Sequence, residues 1–120
     1  MAETHRAAEA IDLLVDLLQR DPYHFGALIA LGQTLLARKK AADALIAFGR
    51  VLRFHPSHVE ALFHEGLVLG KQSRYRDAMD RWHRVIALDS DGQFALRARG
   101  ELHAMLEQQR ALAHASTVAA

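Results

Sequence analysis

The residues of this chain with the widest chemical reach are its eight histidines. His55 and His58 straddle a predicted helix boundary, so their rings need not converge. Glu60 and His64 stand at i,i+4 on one helical face and supply two potential metal ligands without a third, whereas a zinc site takes three or four from the protein. No H-E-x-x-H or G-x-S-x-G occurs. Gly26, Gly32, Gly66 and Gly100 fall inside helical patterns and form no phosphate-cradling loop. The basic residues Lys71, Arg74, Arg76, Arg81 and Arg84 cluster, but Asp77 and Asp80 are placed to pair with Arg81 and Arg84 at i,i+4, which makes the cluster a solvated face before a nucleic-acid patch. The reading is of a chain with no catalytic residue, no metal site and no cofactor.

What orders the sequence is a period. Laying 23–56 over 57–90 matches His24, Ala27, Leu28, Gly32, Leu35, Asp43, Ala44, Arg50 and Val51 with identical residues 34 positions on, where unrelated stretches would share about two. Pro22 and Pro56 keep the same offset. Shifted back, the register puts Ala7, Ala8, Ala10, Leu18 and Pro22 on Ala41, Ala42, Ala44, Leu52 and Pro56; shifted forward, Ala95, Leu96 and Gly100 fall on Ala61, Leu62 and Gly66. A period of this length is that of stacked helical hairpins, none of which can bury its apolar face alone. The expected organisation is one domain over 1–112, made of a half repeat (4–22), two repeats (23–56 and 57–90) and a closing helix (91–112), followed by a frayed tail over 113–120.

Composition fits that plan. The chain has 120 residues, 51% of them hydrophobic, enough for a continuous core. Fifteen basic against fourteen acidic residues leave a net charge of +1, too weak a field to imply nucleic acid or an anionic membrane. Cysteine is absent, which removes disulfides and thiolate chemistry and fits a reducing, cytoplasmic setting. No run of eighteen apolar residues is present to span a bilayer, and the first ten residues lack a secretory layout.

Periodicity and punctuation predict six helices. The first runs from Thr4 to Arg20, with Ile11, Leu14, Leu17 and Leu18 on its buried stripe. The second covers His24 to Arg38, the third Ala41 to Phe54, the fourth follows Ser57 to Lys71, the fifth spans Tyr75 to Leu88, and the sixth Gly92 to Leu112. Ser57 with Glu60 has the form of a capping box, and Asp89, Ser90 and Asp91 are placed to cap the sixth helix. Gly32 with Ala44, and Gly66 with Ala78, recur where antiparallel helices must approach closely. Phe48 and Trp82, at matching positions, are expected as packing between helices.

These marks resemble the tetratricopeptide repeat (TPR) family, whose 34-residue unit carries Leu-Gly, a later Ala, an aromatic and a Pro. Here they are Leu28, Leu31-Gly32, Leu35, Ala44, Phe48, Val51 and Pro56, then Leu62, Gly66, Leu69, Ala78, Trp82 and Val85, over about 5–106. The departures are Glu65 before Gly66, Ser90 for the junction proline, and Lys39 and Ser73 where the turn commonly has Gly. The resemblance implies an all-α, short right-handed superhelix of six antiparallel helices that binds a protein partner on its concave surface. The matching groove positions are Ile29, Gln33 and Leu36, then Phe63, Leu67 and Lys71, then Phe94, Arg97 and Glu101. A subgroup of the family grips the C-terminal carboxylate of heat-shock chaperones with Lys, Asn and Arg; Ile29, Gln33 and Leu67 stand at three of those places, so a peptide or amphipathic helix held by burial fits better.

Counting back by the register, Met1 falls inside the missing first helix of the leading hairpin. Ile11, Leu14, Val15 and Leu18 are therefore expected to form an uncovered edge, suited to a homodimer or other self-assembly. The expected function is a non-catalytic scaffold or adaptor module; the alternatives are a self-assembly element and a regulatory domain of a larger fused protein.

Overall fold

The computed structural model describes residues 2–119, with side chains over 5–116. Six helices follow one another: α1 (Ala2–Arg20), α2 (Phe25–Ala37), α3 (Ala41–Phe54), α4 (Val59–Lys71), α5 (Tyr75–Leu88) and α6 (Gln93–Ala119). Each packs on the next, and α4 also touches α2 and α6. The result is an all-α solenoid in which α2, α4 and α6 form one layer. No helix among the described residues is long and apolar enough to cross a membrane.

Why the hairpins close is visible at two glycines. Phe48 and Trp82 are 0% and 2% exposed, and each ring lies directly against the glycine of the preceding helix. A methyl group on Gly32 would sit 2.6 Å from Phe48 Cζ, and one on Gly66 would sit 2.4 Å from Trp82 Nε1. Only hydrogen fits there. The Trp82 indole N–H donates to Phe63 O at 3.3 Å, so the buried polar atom is satisfied.

The turns inside the hairpins repeat a second device. Lys40 N donates to Leu35 O (2.9 Å) and Lys39 N to Leu36 O (3.0 Å); Arg74 N donates to Leu69 O (2.9 Å) and Ser73 N to Gly70 O (3.1 Å). This is the paired bonding of a Schellman C-cap, which needs a left-handed residue. Lys39 and Ser73 occupy it, both at φ 62°, and their Cβ atoms carry the steric cost that glycine would avoid.

Junctions between hairpins differ from expectation. The caps of α2 and α4 are His24 and His58, whose Nδ1 atoms accept from Ala27 N (2.9 Å) and Ala61 N (3.2 Å). Ser57 is not the cap of α4. A histidine ring with an unprotonated Nδ1 can play the part usually given to Ser or Asp, which accounts for the His24/His58 identity. Asp89 closes α5 by donating its N–H to Val85 O, and Gly92 precedes α6, its carbonyl accepting from Leu96 N at 3.2 Å; Asp91 does not have that place. The helix α6 runs past Leu112 to Ala119, where a frayed tail had been expected; residue 120 lies outside the described residues. Its Ala-rich end carries no Gly or Pro to stop it.

The expected i,i+4 pairs on α5 are also replaced. Asp77 accepts from Arg74 (2.9 Å), Asp80 from Arg81 (2.6 Å), and Arg81 reaches across the hairpin to Glu65. Arg84 donates to Pro56 O at 3.2 Å. Glu65, the family departure, thus forms a cross-helix ion pair in place of an apolar contact.

Candidate groove on the inner helix layer

The inner face is built from residues one turn apart on neighbouring helices. On α4, His64, Leu67 and Lys71 stand at i, i+3 and i+7 and so share one side. Gln33, Leu36 and Ala37 face them from α2, with Lys39 and Ala41 at the end of the hairpin turn. Together they enclose an open cleft of about 650 Å3. Leu36 and Leu67 are half-buried, Gln33 and Lys71 exposed.

His64 is the centre of this arrangement. It is 7% exposed and stacks on Phe48 with ring centroids 5.5 Å apart and planes 13° from parallel. Phe63 and Phe94 meet it edge-on at 5.3 and 6.1 Å. Gln33 Nε2 lies 2.9 Å from His64 Nε2. The amide nitrogen donates, so the ring nitrogen accepts and the imidazole proton sits on Nδ1. Burial, and secondarily the Arg97 charge, lower its pKa from 6.5 to about 4; the ring is neutral at pH 7.

Arg97 on α6 lies over the phenylalanines that flank His64. Its guanidinium carbon sits 4.5 Å from the Phe63 ring centroid and 5.7 Å from that of Phe94, a cation–π arrangement that leaves the charged edge toward solvent. Arg97 forms no ion pair among the described residues.

Set against the sequence expectation, seven of the nine groove positions reach the surface: Gln33, Leu36, Leu67, Lys71, Phe94, Arg97 and Glu101. Ile29 and Phe63 do not. They are 7% and 0% exposed, Ile29 in the core around Phe48 and Phe63 in that around Trp82. Phe63 lies under Arg97, which sequence spacing cannot reveal. Conversely His64, Lys39 and Ala41 join the groove unannounced. The i, i+3, i+7 relation of His64 to Leu67 and Lys71 was the available signal.

At the leading edge the expected stripe divides. Leu18 is buried, and Ile11 and Leu14 pack partly against the core, so these three do not form an open seam. Val15 is 41% exposed, and Leu13, on the other side of α1, 71%. Among the described residues no group of three metal-binding side chains gathers; His64 turns its one accepting nitrogen to Gln33.

Comparison with known proteins places this geometry. Over 99 residues the chain is 25% identical to human Superkiller complex protein 3, covering 82% of this chain and 6% of that protein. It therefore spans a small fraction of that relative's length. The solved structure of the first TPR of Spaghetti (RPAP3) bound to the HSP90 peptide SRMEEVD superposes with a TM-score of 0.79 at 19% identity, covering 90% of this chain and 83% of that one. MamA (41-end) from Desulfovibrio magneticus RS-1 gives a TM-score of 0.68 at 19% identity, covering 92% and 70%. The tetratricopeptide repeat description matches residues 1–64, more than half of the chain. With the 34-residue register, the glycine-aromatic hairpin contacts and this match in agreement, the chain belongs to the tetratricopeptide repeat family.

Proposed function

We propose that the chain is a non-catalytic protein-interaction module that holds a peptide or amphipathic helix of a partner against α2, α4 and α6. The observation that carries this reading is the open cleft between Gln33 and Lys71, whose walls Leu36 and Leu67 remain half-exposed although the cores on either side are filled. Its volume is that of a site for several side chains. Gln33, Leu36, Leu67, Lys71, Phe94, Arg97 and Glu101 are the contacts, with burial supplying most of the affinity. The RPAP3 domain was solved bound to the HSP90 peptide SRMEEVD; here Leu67 and the buried Ile29 argue against a grip on a terminal carboxylate. A scaffold or adaptor role, in the cytoplasm or as the regulatory part of a fused protein, is the setting proposed for it, in keeping with the absence of cysteine.

The test is capture with immobilised wild-type chain and with Leu67→Ser. A partner held by the former should bind the latter about tenfold or more weakly, a loss of ~1.4 kcal/mol, at unchanged helix content, and its affinity should alter little between low and moderate salt. A partner indifferent to Leu36 and Leu67 and released by salt would overturn the reading.

A second reading, self-association, has the exposure of Val15 on α1 in its favour. Two-fold pairing of α1 edges would cover both copies at once.

A further inference from the structure

A second cleft, of about 260 Å3, lies where the α1–α2 connection meets the end of α3; it is lined by Pro22, Tyr23, Phe25, Leu28, Arg50, Arg53 and Phe54. It shares no lining residue with the inner groove. On α2, Leu28 and Phe25 serve this cleft while Gln33 and Leu36 serve the other. Tyr23 and Phe54 meet edge to face at 5.2 Å, yet are 62% and 52% exposed. Phe25 stands behind them, 6.4 Å from Phe54.

The following repeat shows what the fold itself requires at these places. Thirty-four residues on, Pro22, Leu28 and Arg50 recur as Pro56, Leu62 and Arg84, whereas Tyr23, Phe25, Arg53 and Phe54 become Ser57, Val59, Ala87 and Leu88. Arg84 is tied to Pro56 O. Arg50 and Arg53 have no ion pair or side-chain hydrogen bond among the described residues. The hairpin therefore closes without the aromatic pair and without the second arginine, and what the first repeat adds is exposed apolar area beside two free positive charges.

We propose that this cleft is a second protein-docking surface, which takes one large apolar side chain of a partner segment against the Tyr23–Phe54 pair and pairs flanking Asp or Glu residues with Arg50 and Arg53. The volume sets the occupant: about 300–1,000 Å3 is usual for a small-molecule site, so this cleft suits a single anchoring side chain. Aromatic and arginine side chains are the types that dominate interface energies, and the guanidinium fork matches a carboxylate. The cleft lining contains no carboxylate, although Asp21 precedes it and Asp43 lies further along α3 beside Ile46 and Arg50. A net charge of +1 over the chain gives no field for a phosphate backbone, which favours a protein segment over RNA.

The experiment uses the whole chain and labelled synthetic 12-residue peptides, each with a central Phe, Leu or Trp flanked by Glu, and matched peptides with Lys for Glu. Fluorescence anisotropy should show the Glu set binding and the Lys set at least tenfold weaker. The triple variant Tyr23→Ser, Arg53→Ala, Phe54→Leu installs the residues the second repeat already tolerates; with helix content kept, it should lower affinity by tenfold or more. Leu67→Ser, in the inner groove, should leave it unchanged, so failure of the groove reading is separable. No preference for Glu over Lys, indifference to the triple variant, equal loss with Leu67→Ser, or displacement of the peptides by oligo(U) at lower concentration than by unlabelled peptide would each overturn the proposal.

Discussion

Gln33 Nε2 donates to His64 Nε2 across 2.9 Å, from one hairpin to the next. The bond ties the groove floor to the packing of Phe48, on which His64 stacks, so the groove surface and the inter-repeat core are one unit. Because Gln33 is exposed and His64 buried, a partner touching Gln33 acts on a residue whose other contacts are structural.

A pH dependence follows from that histidine. Its folded pKa, lowered to about 4 by burial and by Arg97, lies below the unfolded 6.5. The unfolded chain therefore takes up a proton first as pH falls. Stability from this group is complete above about pH 6.5 and declines toward pH 4, by roughly 3 kcal/mol. Urea midpoints at pH 7 and 4.5 should show the drop, and His64→Gln should shrink the part due to this group; an identical pH profile in that variant would assign acid sensitivity elsewhere.

The glycine-aromatic contacts set a stability prediction. Trp82→Ala or Phe48→Ala should cost about 3–5 kcal/mol, a large share of the ~5–15 kcal/mol typical of a domain. Gly66→Ala should also destabilise, by about 1–3 kcal/mol, because the added methyl has no room against a filled core. Thermal melts followed by circular dichroism measure both. A midpoint unmoved by any of the three would contradict the packing described above.

Glycine should help at the two turns that lack it. At φ 62° a side chain costs about 1–2 kcal/mol, against which glycine loses part of that gain through its freer unfolded chain. Lys39→Gly and Ser73→Gly should each raise stability by about 0.5–1 kcal/mol. Ser73 offers the cleaner measurement, since Lys39 also lines the inner cleft.

For self-association, Val15→Glu should shift a dimer to monomer in sedimentation velocity without loss of helix, since Val15 is open and Leu18 is not. Wild-type chain that stays monomeric at high concentration would remove the second reading.

The repeat, the helix order and most helix bounds could be read from the chain itself, because a 34-residue period and an i, i+3, i+4 apolar pattern are local properties of sequence. The Ala41–Phe54 and Tyr75–Leu88 helices lie where periodicity puts them; the recurrence of Gly32 and Gly66 marks a close approach, but that they meet the rings of Phe48 and Trp82, and not Ala44 and Ala78, is a tertiary fact. Tertiary structure alone decided which inner residues face a partner. Phe63 and Leu67 are one turn apart on α4, yet Phe63 is covered by an arginine 34 residues away and Leu67 is not. It likewise chose the partners of Arg81, drawn to Glu65 on the other helix of the hairpin, and gave His24 and His58 to the helix caps while His64 went to the core. Burial and ion pairing depend on distances between helices, which the spacing of residues along one helix does not contain.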